Sequence, residues 1–148
     1  MFLQKEFLTP PCTVFASRLV KPVPGTSLYM IKVTFTEEHA AILRAEMRAF
    51  LKATYGNLEG ARALDPLHDL GDGQWLLDLV STDVPIICDP AGQRCIVATM
   101  PRGSTVRVIG NFRAMPFPKI MPVMTAVQIG RLAQDNGRRV FEPFDLAA

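Results

Sequence analysis

Two long stretches near the C-terminal end, STVRVIGNFRAM and MPVMTAVQIGRL, are joined only by PFPKI. The first alternates with a period of two: Val106, Val108, Gly110 and Phe112 project to one side, and Thr105, Arg107, Ile109, Asn111 and Arg113 to the other. Any fold must therefore hold two long strands, one of them apolar on one face and studded with guanidiniums on the other. Gly110 inside the strand marks a bulge or a close approach by another backbone.

The rest of the chain supplies partners for these strands. CTVFASRLV (12–20) and SLYMIKVTF (27–35) are β-rich segments around the breaker KPVPG, which reads as a hairpin. In the second, Tyr29, Ile31, Val33 and Phe35 share a face, opposite Lys32 and Thr34. Thr36 then caps a helix with Glu37 and Glu38 in its first turn. Ala40, Leu43, Met47, Phe50, Leu51 and Thr54 follow at helical spacing until Gly56 ends it. Residues 56–83 read as a long connection with one short helix near 58–64 and a strand at 74–79. VPIICDPAGQRCIVAT reads as a second hairpin turning at DPAGQ.

Strand, strand, helix, irregular region and four or five further strands predict a mainly β fold with one or two helices. An OB-like small antiparallel barrel fits this order, with a β-sandwich as the alternative. The usual helix of such a barrel lies between its third and fourth strands, whereas here it follows the second. The 148 residues suffice for one domain spanning 1–148. A helix and a loop-rich acidic insertion lie at about 36–83, and a mobile tail at about 134–148.

Net charge is only +2, but it is unevenly placed. Residues 11–36 and 90–134 contain no carboxylate, while residues 37–89 carry ten against four Lys and Arg. Such segregation builds a positive face on a nearly neutral chain. No apolar run reaches the roughly 18 residues of a membrane span. Glu6 and the lack of a small-residue cleavage site make the N-terminus a poor signal peptide. The odd count of three Cys argues against a disulfide framework, so a reducing cytoplasm is the expected setting.

The basic strand face suits a phosphate backbone, because Arg offers a planar fork of donors. Candidate nucleic-acid contacts are Arg107, Asn111 and Arg113 on that face, Phe112, Phe117 and Lys119 toward its aromatic turn, and Lys32, Arg94 and Arg102 elsewhere in the basic blocks. Phe112 shares the apolar face with Val106 and Val108, which also suits a core position. Pro116 and Pro118 stiffen the loop carrying Phe117. Trp75 follows GDGQ at the edge of the acidic block, where a phosphate chain is repelled.

In pattern, the chain resembles the bacteriophage replicative single-stranded DNA-binding proteins with an OB fold. The resemblance is carried by GQWLLDLVSTDVPIICDPAGQ, by GSTVRVIGNFRAMPFP, by VMTAVQIGRLAQDNG and by the opening hairpin TVFASRLVKP…SLYMIKVTF. It implies binding of single-stranded DNA with little sequence preference in phage replication or recombination. It also implies phage replication or recombination proteins as further partners, a monomer or homodimer, and the host cytoplasm. Many such proteins end in a long acidic tail with a terminal aromatic; this chain ends GRRVFEPFDLAA, so recruitment through the tail is not carried over.

Enzyme chemistry has little to stand on. His68 lies beside Asp65 and Asp69 without a further ligand near by, and Cys12, Cys88 and Cys95 lack paired zinc spacing and read as small buried hydrophobes. No phosphate loop or nucleophile elbow is visible, so no cofactor, metal or catalytic residue is expected. The alternative function is a small phage protein-interaction module that binds or inhibits a host protein. RNA is a more distant possibility, since stacking and backbone charge do not select the sugar.

Phe117 carries the sharpest expectation. Phe117→Ala leaves stability within about 1 kcal/mol of wild type, as for a surface change, and costs roughly 1–3 kcal/mol in single-strand binding. Melting temperature and DNA affinity measured on one preparation check this; lost stability with unchanged affinity places the ring in the core.

Overall fold

The computed structural model describes residues 4–56, 66–97, 100–115 and 120–133. Its elements are β1 (Gln4–Leu8), β2 (Cys12–Arg18), β3 (Tyr29–Thr36), α1 (Glu37–Tyr55), β4 (Leu67–Gly71), β5 (Gln74–Ser81), β6 (Ile86–Cys88), β7 (Thr105–Ala114) and β8 (Ile120–Arg131). β2, β3, β5, β8 and β7 neighbour one another in that order, and β7 returns to β2, so these five strands close a barrel. Neighbours are antiparallel except β5 and β8, which run parallel and meet at one registered pair, Val80 with Val123. β1 extends the sheet from β7, β4 from β5, and β6 runs parallel to β8. The architecture is OB-like. Because β7 pairs with both β8 and β2, the sheet closes on itself and is not a sandwich.

Period-two patterning sets the interior. Ile31, Val33 and Phe35 of β3, Leu77 and Leu79 of β5, and Val106, Val108 and Phe112 of β7 are all essentially inaccessible. β-Branched and aromatic side chains suit these pleated positions. α1 lies between the second and third barrel strands, where its periodicity placed it. The Thr36 hydroxyl accepts the His39 backbone N–H at 3.4 Å, and Gly56, at φ +75°, donates its N–H to the Lys52 carbonyl at 2.9 Å. Ala40, Leu43, Met47, Phe50 and Leu51 form the buried face of α1. Phe50 meets the Phe112 ring at 6.1 Å, and Phe7 of β1 stacks on Phe112 at 4.3 Å. Phe112 is therefore a core residue, not a surface stacking ring: its inward parity on β7 places it between β1 and α1.

Other expectations need adjusting. β1 and β4 were not anticipated. QKEFL offers one inward residue, Phe7, and LHDLG only Leu67, so neither shows an apolar stripe. Residues 67–81 form an antiparallel β4–β5 hairpin where a mostly irregular connection was expected. The short helix expected at 58–64 and the tail at 134–148 lie outside the described residues. The DPAGQ turn forms, with Asp89 N–H bonded to Gln93 O at 2.8 Å. Its second arm contributes a lone bridge, Arg94 to Cys88, and β6 pairs along β8 instead. Cys12 is buried, but Cys88 and Cys95 are only half-buried.

Gly110 is a close approach, set opposite a bulge whose extra residue is Thr125 of β8. The β7–β8 register shifts between Ile109 and Gly110, and a Cβ at Gly110 would lie 2.1 Å from the Val123 carbonyl oxygen. Gly110→Ala forces the two backbones apart and destabilises the fold by roughly 1–3 kcal/mol or more, measurable as a lower urea midpoint with an unchanged m-value. A wild-type midpoint would show that the ladder relaxes without cost.

Candidate nucleic-acid interface

The outer surface of β5, β8 and β7 is drawn into a groove of about 430 Å³. Its floor is apolar, from Val80, Met121 and Val123, with Leu28 entering from the β2–β3 connection. Asn111 and Arg113 of β7 form one wall, and the segment after β5, with Asp83 and Val84, the other. Strand register explains the convergence. Val80 opposes Val123, which opposes Asn111, and Met121 opposes Arg113, so these outward side chains fall in two adjacent rows. The opposite wall is fixed locally: the Ser81 hydroxyl donates to Asp83 O at 2.7 Å and accepts Asp83 N–H at 3.0 Å.

The groove unites only part of the expected set. Arg113 and Asn111 stand together. Arg107 projects from the same side of β7 but six residues away, about 20 Å at strand rise. Arg107 registers with Gln128, Gln128 with Cys88, and Cys88 bridges to Arg94, so Arg107 and Arg94 share a separate row. Lys32, on β3, faces Asp78 of β5 at 3.8 Å, and His68 Nε2 approaches the other Asp78 oxygen at 3.9 Å. Lys32 is thus half neutralised. Arg102 lies with its guanidinium 4.0 Å from the centroid of Phe15. Phe117 and Lys119 lie outside the described residues, and Phe112 is withdrawn into the core.

Phe15 was not singled out in the sequence. It falls at the register shift of β2 between Val14 and Ala16, an irregularity that alternation does not reveal. Reading CTVFASRLV as a regular β-rich segment did not reveal a partly exposed ring between the buried Val14 and the half-buried Ala16.

The remaining reactive groups are accounted for structurally. Burial pushes the Cys12 thiol up to about 12, against the lowering effect of the Thr9 hydroxyl. Partial burial, then the charges of Asp89 and Cys88, raise Cys95. Both are therefore poor thiolates. The Asp69 carboxylate accepts the Gly71 N–H at 2.8 Å. Among the described residues no group of three or more His, Cys, Asp or Glu could hold a metal. Among them, too, no helix is long and apolar enough to cross a membrane.

The sequence matches no family model and no curated protein. The fold does match solved structures. The single-stranded DNA-binding protein gp2.5 encoded by bacteriophage T7 is 16% identical over 92% of this chain and 91% of its own, with a TM-score of 0.70. The single-stranded DNA-binding protein of bacteriophage Enc34 in complex with single-stranded DNA is 12% identical over 88% of each chain, with a TM-score of 0.65. The same Enc34 protein in a second structure aligns over 84% of this chain and 79% of its own at 12% identity, with a TM-score of 0.67. The likeness at these identities is one of fold, and that fold is the OB-like barrel expected from the resemblance in sequence pattern.

Trp75 lies at the far end of β5 from the groove. Its indole N–H donates to the Glu37 carboxylate at 2.6 Å, and the Arg44 guanidinium covers its ring at 4.4 Å. Five residues separate it from Val80, about 17 Å of strand. Saturating oligo-dT is accordingly expected to change Trp75 emission only slightly; a deep quench would move the interface to the α1 end of the barrel.

Proposed function

We propose that the chain binds single-stranded DNA with little sequence preference, in phage DNA replication or recombination. The observation that carries this reading is the groove of an OB-like barrel with Asn111 and Arg113 beside an apolar floor. OB barrels bind oligonucleotides across their second and third strands and the adjoining loops; here these are β3 and β5, and the groove opens beside β5. Arg113 offers a fork of donors to phosphate, Asn111 an amide, and Met121, Val123 and Val80 apolar contact for bases. The likeness to phage single-stranded DNA-binding proteins, one solved with its DNA, supports the same reading.

The role is one of binding rather than catalysis. It is carried by residues 1–148 as one unit, monomeric or homodimeric, in the host cytoplasm and alongside phage replication or recombination proteins. Lys32, Arg102, Arg107 and Arg94 extend the basic surface beyond the groove, and Phe117 and Lys119 belong to the connection that enters β8. Asp78 and Asp83 oppose phosphate and hold affinity down, which suits a protein that must be displaced from its strand.

One observation favours a second reading, docking on a host protein. Leu8, Ile109, Ala126 and Ile86 lie in one row across β1, β7, β8 and β6, and Leu8 and Ile86 are exposed. Salt separates the two, because phosphate binding releases counterions and an apolar interface does not.

The test is fluorescence titration of labelled oligo-dT at two salt concentrations, with duplex as competitor. Wild type is expected to bind oligo-dT in preference to duplex, more weakly at the higher salt. Arg113→Ala weakens binding to all sequences alike and lowers the salt slope by about one phosphate contact. Asp78→Asn strengthens binding by freeing Lys32. Salt-independent binding, or none, would remove the single-stranded DNA reading.

A further inference from the structure

We infer that Phe15 is a base-stacking surface held under cover by Arg102, and that single-stranded DNA uncovers it. A nucleobase takes the ring, and the displaced guanidinium takes the adjoining phosphate. The inference rests on the reading of the chain as a single-stranded DNA-binding protein and adds a site outside the groove.

The pairing of β2 with β3 passes from Val14↔Val33 directly to Ala16↔Lys32, leaving Phe15 as the unpaired residue of a bulge. A bulge re-aims the side chain it carries. Here it leaves an aromatic ring half-exposed on the outside of the barrel, next to the buried Val14. A cation lies over the ring: the Arg102 guanidinium is 4.0 Å from its centroid. The backbone that delivers it is fixed. Val14 N–H bonds to Ser104 O and Gly103 N–H to Val14 O, each at 2.8 Å. The Ser104 hydroxyl donates to Pro101 O at 2.7 Å and accepts the Ala133 N–H at 3.0 Å. Gly103 turns at φ +93°. Arg102 itself is exposed, and among the described residues no carboxylate pairs with it.

The chemistry favours an exchange. A cation–π contact at an exposed site is weaker than a nucleobase stacked on an aromatic ring. The freed guanidinium then gains a charge-assisted bond to phosphate. Lys32, opposite Ala16 in the next pair of the ladder, is placed for the neighbouring phosphate. Arg102 thus shields the ring from water in the free protein and turns into a backbone contact in the complex.

The experiment is anisotropy of fluorescein-labelled oligo-dT with the full chain at two salt concentrations, repeated with an abasic deoxyribose-phosphate oligonucleotide of equal length. Phe15→Leu is expected to weaken oligo-dT binding about tenfold at both salts, without a comparable loss on the abasic strand. Arg102→Ala is expected to weaken both ligands and lower the salt slope by about one phosphate. Phe15→Trp supplies an independent readout should the Leu variant fold poorly: oligo-dT quenches the added emission and the abasic strand does not. Oligo-dT affinity of folded Phe15→Leu equal to wild type, or a Phe15→Trp signal that oligo-dT leaves unchanged, overturns the inference while the single-stranded DNA reading stands. Failure of wild type to bind oligo-dT overturns both.

Discussion

The barrel depends on the close approach of β7 to β8 at Gly110. The first residues of β7, Thr105 and Val106, pair with β2, and its later ones, Ile109 to Arg113, pair with β1, while its other edge follows β8 throughout. β1 and β2 follow one another along one edge of β7, in registers that differ by one residue, so that edge serves both in turn. On the other edge the β7–β8 register shifts opposite Gly110, where β8 carries the extra residue, Thr125. The missing side chain lets the Val123 carbonyl come close enough to keep β7 and β8 paired past the bulge. Beyond it, Asn111 and Arg113 stand opposite Val123 and Met121 of β8, on the same side of β7 as Arg107 but further along the strand, Arg113 by about 20 Å. The architecture that closes the core thus also divides the basic residues between two places.

Residues with regular period were legible in the sequence. β3, β7 and α1 were placed because Ile31, Val33 and Phe35, Val106 and Val108, and Leu43, Met47 and Phe50 recur at strand or helix spacing. β1 and β4 escaped because Phe7 and Leu67 are single inward residues without a repeating partner. β6 was recognised as a strand but its partner was not, since Ile86–Cys88 pairs with a segment some forty positions away, and alternation says nothing of long-range register. Of the candidate interface, Asn111 and Arg113 were legible from parity and charge. Parity also argued for Phe112 as core, and burial between Phe7 and Phe50 agrees with parity. Phe15 was not legible, because its exposure follows from an irregularity rather than a pattern.

Charge is sorted in space much as it is along the chain, with one exception. Among the described residues, the carboxylates of the central block lie on α1, β4 and β5, in the turn that joins β4 to β5, after β5 at Asp83 and after β6 at Asp89. The β7–β8 face carries guanidiniums and, on its own two strands, no carboxylate. Asp78 crosses that division: it stands on β5 and meets Lys32 and His68 from either side. An exposed pair of this kind contributes little to stability, so its effect falls on the local field, where it weakens one cation of the basic surface.

The parallel junction of β5 and β8 has a mechanical consequence. Every other barrel junction is laced by two or more registered pairs, whereas this one has Val80 and Val123 alone. A cylinder so constructed has a seam, and its compliance is concentrated there: parting the two strands sacrifices fewer backbone hydrogen bonds than opening the wall at any other line. The groove lies along that seam, with Val80 and Val123 in its floor. Among the described barrel junctions, its width is therefore the dimension least held by backbone pairing, adjustable by small rotations of β5 against β8 without disturbing the packed interior.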